Sequence, residues 1–137
     1  MKRVCYFECV LDPVLFENIL TEGGDITLTK VDRDMPESEI KAALADIHGY
    51  HTRGGSQLVP ERFRINRDFI ADCPNLLTVC TGGAGYDGIN VDHCTESGIL
   101  VANQAGLKAE AVAEHAVAMM LCLTKQIAQV KWLTCPP

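Results

Sequence analysis

The chain has 137 residues, 47% of them apolar and 22% charged, which is enough for one domain with a real hydrophobic core. Its net charge of −6 at neutral pH excludes the basic footprint of a nucleic-acid binder. No apolar run approaches bilayer-spanning length, so no membrane helix is expected.

Taken in order, the chain alternates strand and helix. A basic start, Met1-Lys2-Arg3, is followed by Val4–Leu11, a strand of mixed apolar character that lacks the cleavage site of a signal peptide. Asp12 and Pro13 open a helix that runs to Leu20, with Asp12 as N-cap and Pro13 in the first helical position. Gly23 and Gly24 end it, and Ile26–Val31 alternates as a second strand. Pro36 opens a second helix, with Ile40, Ala43 and Leu44 at helical spacing. Ile47–Thr52 reads as the third strand, broken by Gly54 and Gly55. Pro60 opens a third helix carrying Phe63, Phe69 and Ile70, which ends before Pro74. Beside Glu61 and Asp68, the cluster Arg62, Arg64 and Arg67 reads as a solvated face of that helix.

Leu76–Thr81 is the fourth strand, and it runs into the glycine loop Gly82–Gly88. A short helical segment, Ile89 to Ser97, ends at Gly98, and Ile99–Ala102 is the fifth strand. The last helix spans Leu107 to about Val130 and carries Val112, Ala116, Met119, Met120, Leu123 and Ile127. It is apolar on most sides, so it must be buried on most sides. This alternation predicts an α/β fold: a flavodoxin-like three-layer sandwich with a parallel sheet of about five strands, plus a long C-terminal helix. The expected division is a flavodoxin-like domain over 1–106, then a helix and short tail over 107–137.

Ligands of such sheets bind outside the carboxyl ends of the strands. The glycine loop lies at one such end, and the strand-three exit Tyr50-His51-Thr52-Arg53 lies at another that can face it. Backbone N–H groups in a loop of this kind can hold a phosphate or carboxylate with few side chains. Gly83, Gly85 and Gly88 also satisfy G-x-G-x-x-G, but the context of a dinucleotide site is missing. The helix that follows is short, the fifth strand ends at Asn103 instead of a carboxylate, and Glu110 falls inside a helix. The bland alternative for the loop is a tight strand-to-helix turn with no ligand.

Strand geometry and sequence neighbours limit the other candidates. His48 and His51 have a spacing of three within a strand, which puts them on opposite faces and excludes a shared metal. Tyr50 and His51 either orient a substrate or simply form a polar strand end. Arg53 is the cation near enough to pair with a substrate carboxylate. Cys80 has no neighbouring His or Asp in sequence and reads as a buried strand thiol. The seven cysteines are odd in number and form no C-x-x-C pair, which points to buried thiols in a reducing cytoplasm.

From the glycine loop onward, GGAGYDGINVDHCTESGILVANQAG and AEAVAEHAVAMMLCL resemble the N-terminal half of the D-isomer-specific 2-hydroxyacid dehydrogenases. Residues 1–75 agree only in their strand–helix rhythm. The resemblance implies that Gly83, Ala84 and Gly85 present N–H groups to the carboxylate of a small 2-hydroxy or 2-oxo acid. It makes Tyr86 and Asp87 structural, with Asp87 tying the loop down by hydrogen bonds. It also implies a homodimer through the helix around Val112–Ile127, which in the family joins two domains. Family members are much longer, and the domain after that helix binds NAD and brings the catalytic Arg, Glu and His. No residue here matches those three, and His115 belongs to the helix motif Val112-Ala113-Glu114-His115. Lys108 and Asn90 depart from the usual Asn and Asp. The expectation is a substrate-domain fragment or stand-alone relative that binds a small carboxylate, without NAD or catalysis on its own. The alternative is an oligomerisation protein with a vestigial loop.

Overall fold

In the computed structural model, which describes residues 1–8 and 12–127, five short segments pair into one parallel sheet. The strands are β1 (Lys2–Phe7), β2 (Ile26–Val31), β3 (Gly49–Thr52), β4 (Thr78–Thr81) and β5 (Leu100–Ala102). Their order is β2-β1-β3-β4-β5, and every pair is parallel. This is the flavodoxin-like order, whose switch point falls between β1 and β3. Among the described residues the helices are α1 (Pro13–Thr21), α2 (Glu37–Leu44), α3 (Arg67–Ala71), α4 (Val91–Glu96) and α5 (Ala109–Thr124).

Local chemistry sets most boundaries. The Asp12 side chain accepts from the Leu15 N–H at 3.0 Å, and Pro13 opens α1. Asn90 caps α4 in the same way, accepting from His93 N–H at 2.9 Å. Gly98 leaves α4 with φ at +71°, a left-handed conformation that glycine tolerates.

Three expected elements differ. The first strand begins two residues earlier, at Lys2, and ends at Phe7, because Glu8 turns the backbone to φ +41°. Residues 9–11 of that expected strand lie outside the described residues. The single third helix is instead two 3-10 turns, Ser56–Leu58 and Glu61–Phe63, followed by the short α3. The interruption has a cause: Ile65 pairs across to Ile89, and Asn66 starts a new helix by accepting from Phe69 N–H at 2.9 Å. Arg62, Arg64 and Arg67 therefore share no helix face. Arg62 lies over the Phe63 ring, Arg64 donates to the Val59 carbonyl, and Arg67 pairs with Glu96. The last helix begins at Ala109, and its residues 128–130 lie outside the described set.

Side chains alternate between the two faces of each strand. Cys5, Phe7, Val31, Tyr50 and Val79 share one face and form a closed core with Ile40, Leu44, Phe63, Phe69 and Cys94. Helices α2, α3 and α4 therefore cover that face. On the other face Tyr6 meets Phe16 of α1 edge-on at 5.4 Å, and Phe16 also lies 5.3 Å from the His51 ring. Each fully buried large apolar side chain contributes about 1.5–3 kcal/mol by leaving water. The chain divides into two compact units, Met1–Ala105 and Gly106–Pro137. In the second, α5 exposes Val112, Val117, Met119, Met120, Leu121 and Leu123.

Candidate functional site

The glycine loop leaves β4 at Thr81 and is tied down through its carbonyl groups. Gly83 O accepts from the Thr81 hydroxyl at 2.8 Å and from Gln104 N–H at 2.9 Å. Ala84 O accepts from the Asn103 amide at 2.9 Å. Farther along, Tyr86 O accepts from Ile89 N–H, and Gly88 O accepts from Ile65 N–H. The fixed carbonyls leave the neighbouring amides of Gly83, Ala84 and Gly85 without an acceptor among the described residues. Asp87, expected to hold the loop, forms no hydrogen bond among the described residues; Thr81, Asn103 and Gln104 do this instead.

The strand-three exit abuts this loop. Gly82 N–H donates to the Thr52 carbonyl at 3.1 Å. At Gly54 a β-carbon would sit 2.1 Å from the Gly85 carbonyl oxygen, so only glycine fits there. Gly83 has open space where its side chain would be.

The other candidates separate. His51 is buried on the α1 side, with Nδ1 3.2 Å from Cys80 Sγ and its Nε2 edge against Gly82. Burial lowers the imidazole pKa. Tyr50 points to the opposite face, 1% exposed with its ring 4.8 Å from Phe69, so it offers no surface to a ligand. Arg53 is partly buried, and its charge acts on Glu8. The Glu8 carboxyl is lowered to about 2, chiefly by Arg33, whose Nε and Nη2 donate to its two oxygens at 2.7 Å each. His48 stands just before β3, and its Nδ1 accepts from Arg3 N–H. Sequence reasoning missed Thr81, whose hydroxyl holds a carbonyl only two residues on, and Gly54 and the His51–Cys80 contact, which depend on residues far apart in sequence.

A hollow of about 530 Å³ opens elsewhere, lined by Ile40, Lys41, Leu44, Arg62 and Phe69 among others. No residue of the glycine loop lines it, and its Lys41 is already paired with Glu37 at 3.2 Å. The hollow is therefore separate from the glycine loop.

The loop does not fit a dinucleotide. Helix α4 has six residues and begins three positions after Gly88, too short for a full phosphate-binding dipole. At the end of β5 the Asn103 side chain is engaged with Ala84 O and Ala105 N–H, where a ribose-binding carboxylate would be needed.

Comparison with known proteins agrees with this architecture. The family model described as D-isomer specific 2-hydroxyacid dehydrogenase, catalytic domain, matches residues 9–134. The glyoxylate reductase of Pyrococcus furiosus is 26% identical over 110 residues, which cover 80% of this chain and 31% of that protein. A 2-hydroxyacid dehydrogenase from Ketogulonicigenium vulgare Y25 matches with a TM-score of 0.75 and 25% identity, over 97% of this chain and 40% of that one. The 3-phosphoglycerate dehydrogenase of Entamoeba histolytica, solved with NAD+ bound, shares the fold with a TM-score of 0.64 at 18% identity, over 88% of this chain and 38% of that one. The chain thus spans about a third of the length of the glyoxylate reductase it matches. With its five-stranded parallel sheet and a match over nearly all its residues, the chain belongs to the D-isomer-specific 2-hydroxyacid dehydrogenase family and covers one domain of it.

Proposed function

We propose that the chain is the substrate-domain part of an NAD-dependent 2-hydroxyacid dehydrogenase and binds the carboxylate of a small 2-oxo or 2-hydroxy acid on the Gly83–Gly85 loop. One observation carries the reading: the loop carbonyls are anchored while the amides of Gly83, Ala84 and Gly85 have no acceptor among the described residues. Amides held in this way give up little entropy when an anion arrives. His51 and Arg53 leave the same strand end and would line the approach; Tyr50 would act only by supporting β3 from the core. The glyoxylate reductase likeness favours a short 2-oxo acid.

In this reading NAD belongs to a domain beyond these residues, because the loop does not fit a dinucleotide, and the isolated chain transfers no hydride. Thermal melting with a panel of 2-oxo and 2-hydroxy acids, with and without NADH, tests both halves. Saturation at about 100 times the dissociation constant adds about 2.7 kcal/mol, a shift of several degrees. A shift with an acid alone supports the reading; a shift that requires NADH overturns it.

The exposed apolar side chains of α5 favour a second reading, a two-fold homodimer through Val112–Ile127. Sedimentation of the wild type beside Met120→Lys tests it. A dimer lost in the variant supports the interface, and a wild-type monomer removes it.

A further inference from the structure

One pair of reactive side chains lies outside the carboxylate cradle. Parallel register sets His51 of β3 beside Cys80 of β4, with Nδ1 3.2 Å from Sγ. That separation is within hydrogen-bond reach for sulfur, the arrangement in which an imidazole can act as base to a thiol. His51 is fixed from two further sides. The Phe16 ring lies 5.3 Å away, and the Nε2 edge faces Gly82.

Cys80 is only partly buried, whereas Cys5, Cys73 and Cys94 are closed into the core. It is therefore a thiol outside the closed core that already touches a base. Burial raises the Cys80 thiol pKa and lowers that of the His51 imidazole. These shifts favour a neutral resting pair, and in the tautomer with the ring proton on Nε2, Nδ1 accepts from Sγ–H. The thiol becomes a strong nucleophile as its proton passes to the ring.

We propose that Cys80 and His51 form a thiol-modification site for small disulfides, with Cys80 as nucleophile and His51 as its base. In the step, Sγ attacks one sulfur of a disulfide R–S–S–R. The Cys80–S bond forms and the R–S–S–R bond breaks. The proton moves from Sγ to Nδ1 and then to the departing thiolate, giving R–SH. Cys80 is oxidised to a mixed disulfide, and half of the small disulfide is reduced. This chemistry uses none of the loop amides and shares only His51 with the proposed approach to the carboxylate site.

The test is time-resolved labelling of the full chain with bis(2-hydroxyethyl) disulfide, read by peptide mass mapping. Cys122, which is exposed on α5, serves as the internal standard for an unassisted thiol. Labelling is also run in the Met120→Lys background, so that self-association through α5 does not cover it. Cys80 is expected to be modified at least as fast as Cys122, despite its partial burial. In His51→Gln, Cys80 modification is expected to slow by about tenfold or more while Cys122 is unchanged. A wild-type Cys80 that stays unlabelled while Cys122 reacts overturns the proposal, as does an unchanged Cys80 rate in the variant. Labelling of Cys5, Cys73 or Cys94 in the variant would report an opened core, and the wild-type comparison with Cys122 then decides.

Discussion

On one face of the sheet Phe7, Tyr50 and Val79 lie beneath α2, α3 and α4; on the other, Tyr6 and His51 lie beneath α1. The first face is almost wholly apolar and closed, with Phe7 and Phe63 rings 4.3 Å apart and both fully buried. The second mixes polarity into its contacts. Tyr6 donates to Glu17 at 2.6 Å, His51 meets Cys80, and Leu100 on β5 remains 67% exposed. Strand alternation makes this separation possible, since neighbouring residues of one strand serve opposite faces. One face supplies stability and the other holds reactive groups, with the glycine loop at the strand ends next to both.

Substitutions can break or sharpen that contrast. Phe63→Ala should cost about 3–5 kcal/mol in urea unfolding, because it empties a closed site. Phe16→Ala on the opposite face should cost about 1–2 kcal/mol, because Phe16 is only partly buried. Equal losses would erase the distinction between the faces.

Gly54→Ala should cost about 1–3 kcal/mol and abolish the acid-induced melting shift, because its β-carbon would force the Gly85 carbonyl to move. A variant that melts normally and still responds to acid would show that this close approach does not set the cradle. Asn103→Ala removes the bond to Ala84 O and the acceptor for Ala105 N–H. It should cost about 1 kcal/mol and weaken the acid response without eliminating it.

The smallest effect is electrostatic. The folded-state Glu8 pKa is about 2, below its ordinary 4.5, so the Arg33 pair contributes stability above the ordinary value and loses it as pH falls toward 2. Arg33 is largely exposed, which keeps the contribution modest. Glu8→Gln should flatten the stability difference between pH 4.5 and pH 2 relative to wild type, measured by urea unfolding at each pH. A variant with an unchanged acid slope would remove the pair from the account.

Much of this fold was legible because its signals are local. Asp12-Pro13, the apolar spacing of α2, and the run from Leu76 into the glycine loop depend on neighbouring residues alone. The third helix was misread because Ile65 answers to Ile89, a partner that no local pattern reveals. The loop was visible as glycines, but its anchors were not. Thr81 resembles any strand residue, and Gly54 resembles an ordinary break until Gly85 is placed against it. The histidine beside Cys80 lies 29 residues away in sequence, across a parallel pair of strands, where no local pattern reveals it.

The most direct measurement is an amide NMR titration of the chain with glyoxylate. The account predicts that the N–H resonances of Gly83, Ala84 and Gly85 move first and farthest, with smaller shifts at Gly54 and Asn103. Shifts confined to the hollow around Lys41 and Phe69, or no saturable shift in the loop, would contradict it.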